Sequence, residues 1–398
     1  MPFPEFSNAS LDSADSLAAE RAVHSVYVRA VAGRADLAAF IRLPYRLYRG
    51  DPLWVAPLLT DIKRQLNPAK NPWFDHSEAE FFLARRGRRV VGRISAQIDH
   101  TFNEYQQNTW GLFGWFECEN DDEAARALFD GAADWLRARG RDRMVGPCSF
   151  TTNDECGVLI DGFDIAPGIL EPFTPRFYPG LFEAAGFAKA MDLLMWRLDL
   201  ADRANVHPDI WSASRRVDED GSFLMKQFSR RSLNDDADRF RDVYNASWEK
   251  NWGFVPLSQR EMHYYADSLR PIMDRHWSFA MIDRADGSNA GAALTLPDYN
   301  QVLRHLHGRL LPLGWLKLLW YRRKIDQVRV LALGVKPKYR TTGLGARMYT
   351  EHFTAADRTR VVALTMGWTL ESNEAINRGI RGMGGTRFKT WRLYERTL

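Results

Sequence analysis

Short runs along the chain alternate between apolar and polar residues. Val23–Arg29 alternates with a period of two, and Phe81–Arg85, a Gly-Arg-Arg turn and Val90–Ala96 predict a strand hairpin. Trp110–Glu117, Met144–Pro147 and Leu193–Leu198 predict further strands. Helical spacing runs from Asp36 to Tyr48, and the acidic stretch Asn120–Glu123 suits a second helix start. Past residue 220 the same order returns. Phe223–Phe228 predicts a strand, 235–248 and 258–270 helices, and Ser278–Ile282 with Ala290–Leu296 a second hairpin. Val328–Val335 predicts a strand, a helix starts at Gly343, Val361–Trp368 is a strand, and a last helix precedes the strand Arg387–Tyr394.

Two mixed α/β units of matching order suggest a duplication. The expected layout is a disordered tail over 1–22, a first unit over 23–200, a polar linker over 201–220 and a second unit over 221–398. Composition agrees with a folded chain, since 45% of the 398 residues are hydrophobic and can bury full cores. The longest apolar-rich run, Leu310–Tyr321, is broken by Pro312 and Lys317 and falls short of the roughly 20 residues a bilayer requires. The first twenty residues lack the basic and apolar regions of a secretory signal. Cys118, Cys148 and Cys156 show no C-x-x-C spacing, which suits a reducing cytoplasm and predicts no metal site. A formal charge of +4 without a basic stripe argues against nucleic acid as a partner. The 14 Trp exceed core needs and predict a lined pocket or an interface.

One segment carries a chemical signature. Strand Leu333-Gly334-Val335 runs through Lys336, Lys338 and Arg340-Thr341-Thr342-Gly343-Leu344-Gly345-Ala346-Arg347 into a helix. Amides at a glycine-containing helix start bind anions, and the absent Cβ of Gly343 and Gly345 lets a phosphate approach the main chain. Lys336, Lys338, Arg340 and Arg347 add positive charge. The pattern is neither a P-loop nor a dinucleotide fingerprint.

Arg340-x-x-Gly343-x-Gly345 between strand and helix resembles the acyl-CoA pyrophosphate loop of the GNAT acyltransferase superfamily. Glu371-Ser372-Asn373 resembles the family's next motif, and Gly384-Gly385 precedes its final strand. The resemblance covers roughly 223–398. The first unit matches in element order alone, and Glu119–Glu123 at its equivalent turn would repel a diphosphate. The implied fold is α/β, with tandem GNAT-like domains, each a mixed twisted sheet flanked by helices, and one acyl-CoA site in the second. That site would use Leu333, Gly334, Val335, Arg340 to Ala346, and Asn373. Trp248–Phe254, Asn153–Gly157 and Lys389-x-x-Arg392-x-Tyr394-Glu395 resemble a bacterial tandem-GNAT group, some of whose relatives are linked to ceramide synthesis.

N-acyl transfer requires a neutral amine, a base and a polarised thioester carbonyl. The resemblance implies a backbone N–H near Leu333–Val335 for the carbonyl. The tyrosine that many GNAT enzymes use as acid, seven residues after Asn373, is here Ile380. Candidate bases are Glu249, Glu371, Asp298 and the Asp154-Glu155 pair, with His305 and His307 read as packing residues. Trp248, Trp252, Phe254, Asn153, Asp154, Glu155 and Trp315 are candidate substrate contacts. The greasy, basic stretch 309–324 admits three readings: a buried helix, a wall for a long acyl chain, or a peripheral contact with the inner membrane face.

The leading expectation is an acyl-CoA-dependent N-acyltransferase acting on an amine, with a long-chain sphingoid base as one candidate acceptor. An N-acetyltransferase for a polar amine or protein, and a catalytically silent acyl-CoA-binding protein, are the alternatives.

Overall fold

The computed structural model describes residues 25–398. The tail expected over 1–22 and the first residues of the Val23–Arg29 run lie outside the described residues. Strands β1 (Val26–Ala30), β2 (Ser77–Arg86), β3 (Arg89–Asp99), β4 (Trp110–Cys118) and β5 (Arg143–Gly146) form the first half-sheet. Its neighbours are antiparallel except for the parallel step between β4 and β5. After β6 (Val158–Asp161) and β7 (Ala188–Asp199), the pattern repeats in β8 (Phe223–Gln227), β9 (Phe279–Asp283), β10 (Asn289–Pro297), β11 (Gln327–Val335) and β12 (Ala363–Leu370). Again the parallel step is the last one, between β11 and β12.

The halves fuse into one 13-stranded sheet through an exchange of strands. β7, from the first half of the chain, pairs with β12 of the second. The terminal strand β13 (Thr386–Thr397) pairs with β5 and β6 of the first, and β7 and β13 pair with each other at the centre. The sequence of β7 suits this place. Leu193 to Trp196 are buried in succession, so this part of the strand reads as a continuous apolar run rather than an alternating one.

The connecting stretch 201–220 is itself largely helical, from Pro208 to Asp220, and ends on Gly221 at φ 66°. Its polar composition hid this, because only Ser214 and Val217 are buried. Ser214 bonds Thr350 at 2.6 Å, and Trp211 packs on Phe353, which docks this helix on the one from Leu344 to Asp357. The apolar stretch after Arg309 forms a helix, Gly314–Tyr321, with no buried residue. Leu311 is 77% and Trp320 65% exposed, so the buried-helix reading fails.

Candidate active site

β11 and β12 pair only from Gln327 and Ala363 to Val330 and Met366, then diverge. A bulge at Leu331 interrupts the β10 register at the same point, between the Ala332 and Val330 pairs. Main-chain groups of Leu331–Val335 on the side facing β12 therefore have no strand partner among the described residues. The resulting cleft is lined by Val330–Leu333 from β11, Met366–Leu370 from β12, Tyr349 and His352 from one helix, and Asn373, Ile376 and Ile380 from the next. Asn373 caps that second helix, its side chain accepting from the Ile376 amide at 3.3 Å.

At its outer end β11 runs into the turn that starts the helix Leu344–Asp357. Gly343 caps it at φ 84°, a left-handed conformation that favours glycine. The amides of Gly345 and Ala346 lie in the first turn, where no preceding carbonyl can accept from them. A Cβ on Gly345 would meet nothing closer than Val335 Cγ2 at 4.0 Å, so the space before these amides is open. The surrounding cations are less free than their number suggests. Lys336 pairs with Asp242 at 2.7 Å, Lys338 with Asp286 at 3.4 Å, and Arg347 with Asp218 at 2.6 Å and Glu351 at 2.9 Å. Exposed Arg340 instead donates to the Ser247 carbonyl at 2.9 Å and has no carboxylate partner among the described residues. Open amides, a missing Cβ and Arg340 fit a diphosphate; Thr341 and Thr342 are exposed beside them.

The first unit's equivalent turn is filled from within. Asp121 caps the helix through the Ala124 amide at 3.1 Å, Arg86 bridges Asp121 and Glu123, and Glu119 pairs with Arg89 at 2.9 Å. Its own carboxylates stand where a phosphate would.

Between the two units lies a cavity of about 520 Å³. Trp248, Asn251, Leu331, Ala332, Gly367, Trp368 and Leu370 line both this cavity and the cleft, so the two spaces meet at the bulge. Gly334 permits the meeting: a Cβ there would fall 2.3 Å from the Trp248 ring. Gly334→Leu is therefore expected to displace Trp248, quenching or shifting its fluorescence and reducing turnover while the glycine turn at Gly343 is untouched.

The first unit contributes the loop 151–155 to the opposite wall. Tyr244 donates to Asn153, Thr152 donates to the Gly253 carbonyl, and Tyr265 donates to Asp154 at 3.1 Å. Tyr244 stacks on Trp248 at 5.0 Å and lies 5.4 Å from Phe254. Asn153, Asp154, Glu155, Trp248, Trp252 and Phe254, far apart in sequence, thus share one cavity. Burial pushes the Asp154 carboxyl up to about 7, against the opposing Tyr265 hydrogen bond. Burial raises Glu155 as well, with Arg329 pulling the other way. Glu155 is open to the cavity yet enclosed by protein around it.

Other expected residues stand elsewhere. Glu249 is exposed and lines neither space; Tyr105 reaches only its backbone carbonyl. Glu371 pairs with Lys189 at 2.7 Å and accepts from the Asp192 amide at 3.1 Å, which ties β7 to the end of β12. Asp298 is buried, with its carboxyl pushed up to about 6 by burial, but it receives the Ile169 and Asn300 amides at 2.9 and 3.1 Å and serves to hold the 167–171 loop. Trp315 is exposed on its helix, and His305 stacks on Tyr321 at 3.8 Å; neither, nor His307, reaches the cavity. Sequence reasoning missed Tyr244, Tyr265 and Tyr349. They sit at helical spacings that look like ordinary packing, and their partners lie on other elements.

Among solved structures, the tandem GNAT protein from the clavulanic acid biosynthesis pathway matches with a TM-score of 0.56 at 12% identity, over 94% of this chain and 98% of that one. That likeness concerns the fold alone. No protein-family model matches the chain. Closer in sequence is the bacterial ceramide synthase of Caulobacter vibrioides (strain NA1000 / CB15N), 38% identical over 375 residues, 92% of this chain and 95% of that protein. The chain belongs to the tandem GNAT acyltransferases. Protein YghO of Escherichia coli (strain K12) is a further relative of this tandem GNAT acyltransferase, 32% identical over 378 residues, 93% of this chain and 95% of that one. As a member, the protein is an N-acyltransferase, and its GNAT fold implies acyl-CoA as donor and an amine as acceptor. Among the described residues, no group of three or more His, Cys, Asp or Glu could hold a metal ion, and no helix is long and apolar enough to cross a membrane.

Proposed function

We infer that this tandem GNAT acyltransferase moves a fatty-acyl group from acyl-CoA to the amine of a long-chain, sphingoid-type base. The observation that carries this reading is the cavity of about 520 Å³ opening directly from the thioester cleft, with Leu257, Phe240, Met262 and Leu331 among its apolar walls. A small polar amine and an acetyl group would leave most of that space unfilled. Each methylene buried contributes about 0.8 kcal/mol, about fourfold in affinity, so a lined cavity of this size selects long chains. The name of the Caulobacter relative supports the same acceptor class.

In this reading a bound acyl-CoA supplies the activated carbonyl. Unpaired N–H groups along Leu331–Val335 donate to a carbonyl oxygen brought into the cleft, where charge develops in the reaction. Asp154, the cavity carboxylate with affinity for a proton near neutrality, takes the proton the amine loses. The test is turnover of a long-chain amino alcohol with acyl-CoAs from acetyl to palmitoyl. Efficiency rising with chain length is expected; equal or better use of acetyl-CoA would sink the lipid reading.

The same reading gives the stretch 309–324 a role at a membrane surface. Leu311, Leu313 and Trp320 are exposed. Residues 300–325 include Arg304, Arg309, Lys317, Arg322, Arg323 and Lys324 but no Asp or Glu. Apolar side chains among cations suit an anionic lipid surface. Asn300 and Leu303, just before this stretch, line the cavity, which would give a lipid acceptor a short way in. Leu311→Glu with Trp320→Glu should abolish co-sedimentation with phosphatidylglycerol vesicles and spare turnover of a soluble short-chain amine. Undiminished co-sedimentation would remove the membrane from the reading.

A further inference from the structure

The thioester cleft is largely apolar, with Val330, Leu333, Leu364, Ile376, Ile380 and Met383 in its walls. A thiol sulfur expelled there as an anion would be poorly solvated, so a nearby proton donor matters more than it would in water. Most proton-bearing groups of the cleft are already committed. Thr369 donates to Asn377 at 2.7 Å. His352 Nδ1 donates to the Met348 carbonyl at 3.1 Å and its Nε2 accepts from Thr295 at 3.0 Å, while burial holds the ring neutral at a pKa of about 4.

Tyr349 differs. It lies one turn before His352 on the helix that begins at the phosphate turn, and it lines the cleft. Its hydroxyl makes no hydrogen bond to another described residue; burial alone acts on it, raising its pKa and keeping the phenol protonated. That hydroxyl lies 3.8 Å from the place of a Cβ on Gly379, the residue before Ile380. Ile380 is the position at which the resemblance calls for an acid, and it is 3% exposed and apolar here. Tyr349 and Ile380 thus line the same cleft from neighbouring helices.

We propose that Tyr349 is the catalytic acid that protonates the departing sulfur. This rests on the acyl-transfer reading above. The amine nitrogen bonds to the thioester carbon and loses a proton to Asp154. The C–S bond breaks with its electron pair going to sulfur, which takes the Tyr349 phenolic proton and leaves as a neutral thiol. The phenolate is reprotonated from water as the thiol departs, so the products are an amide and a thiol.

The test compares Tyr349→Phe with the wild type on palmitoyl-CoA and on palmitoyl-selenocoenzyme A, whose selenolate is a much weaker base and leaves without a proton. Phe keeps the ring packing, and the hydroxyl has no partner among the described residues to lose. CoA affinity by calorimetry should be unchanged. With the thioester, kcat should fall about 100-fold with KM little altered; with the selenoester the fall should be only a few-fold. An equal fall on both donors, or none on the thioester, would overturn the assignment while leaving the acyl-transfer reading intact. A wild type that turns over neither donor with any amine would overturn both.

Discussion

Gly345→Glu will fold like the parent and fail to hold acyl-CoA. The new Cβ would have 4.0 Å of clearance to its nearest neighbour, so no packing is lost. A carboxylate in a helix's first turn is favourable, which makes the stability change small or slightly positive. Yet that carboxylate occupies the open space in front of the Gly345 and Ala346 amides, where a diphosphate must sit. Two like charges about 4 Å apart at a protein surface repel by about 4 kcal/mol, enough for a loss of more than about 100-fold in affinity. Calorimetry with CoA, beside a melting curve, separates the two effects. Gly343→Glu is the informative contrast. At φ 84°, with Ala213 O at 3.4 Å from a Cβ, it should lower the melting temperature as well. A Gly345→Glu protein with undiminished CoA affinity would reject the site.

The second large effect belongs to Asp154→Asn, and it runs in opposite directions for activity and stability. A base works unprotonated, so wild-type kcat/KM should rise with pH through about 7, where burial has moved this carboxyl, and then level off. The Asn variant should lose that rise and fall about 100-fold or more at pH 8. Stability has the other sign. The folded pKa is raised above the ordinary carboxylate value, so it is the charged form that folding disfavours. The wild type therefore gives up stability as pH climbs from about 4 to about 7, by about 2–4 kcal/mol. The neutral amide of the variant, whose carbonyl can still accept from Tyr265, carries no such cost. The variant should match the wild type at pH 4 and exceed it at pH 8 in urea unfolding. Undiminished turnover would remove Asp154 from the chemistry whatever the unfolding curves showed.

How much of this was legible before the structure depended on whether the physics was local. The hairpins at 81–96 and 278–296 follow from alternation and turn residues, and both formed close to their expected bounds. The glycine turn that opens the helix Leu344–Asp357 was legible because main-chain geometry and glycine carry it within a few residues. Its cations were over-read: neutralisation of Lys336 by Asp242 and Arg347 by Asp218 joins residues about a hundred or more positions apart. The candidate carboxylates could not be told apart in sequence for the same reason. Glu249, Glu371 and Asp298 look like Asp154 in one dimension, and only the fold shows which carboxylate faces a cavity and which is consumed by amides or lysine. The helix Pro208–Asp220 was missed because its buried stripe is too narrow to outweigh its charges.

The strand exchange at the centre of the sheet has a consequence for how the molecule is made. β13 leaves the ribosome after the other twelve strands, yet its place is between β5 and β7. Until then the early half has an unsatisfied edge along β5, and the later half has one along β7, so both remain open to wrong pairing until β13 is made. The wall carrying Asp154 and the wall carrying Trp248 are brought to their working separation only when β13 slots into place. Removing those residues would be expected to cost solubility as well as activity.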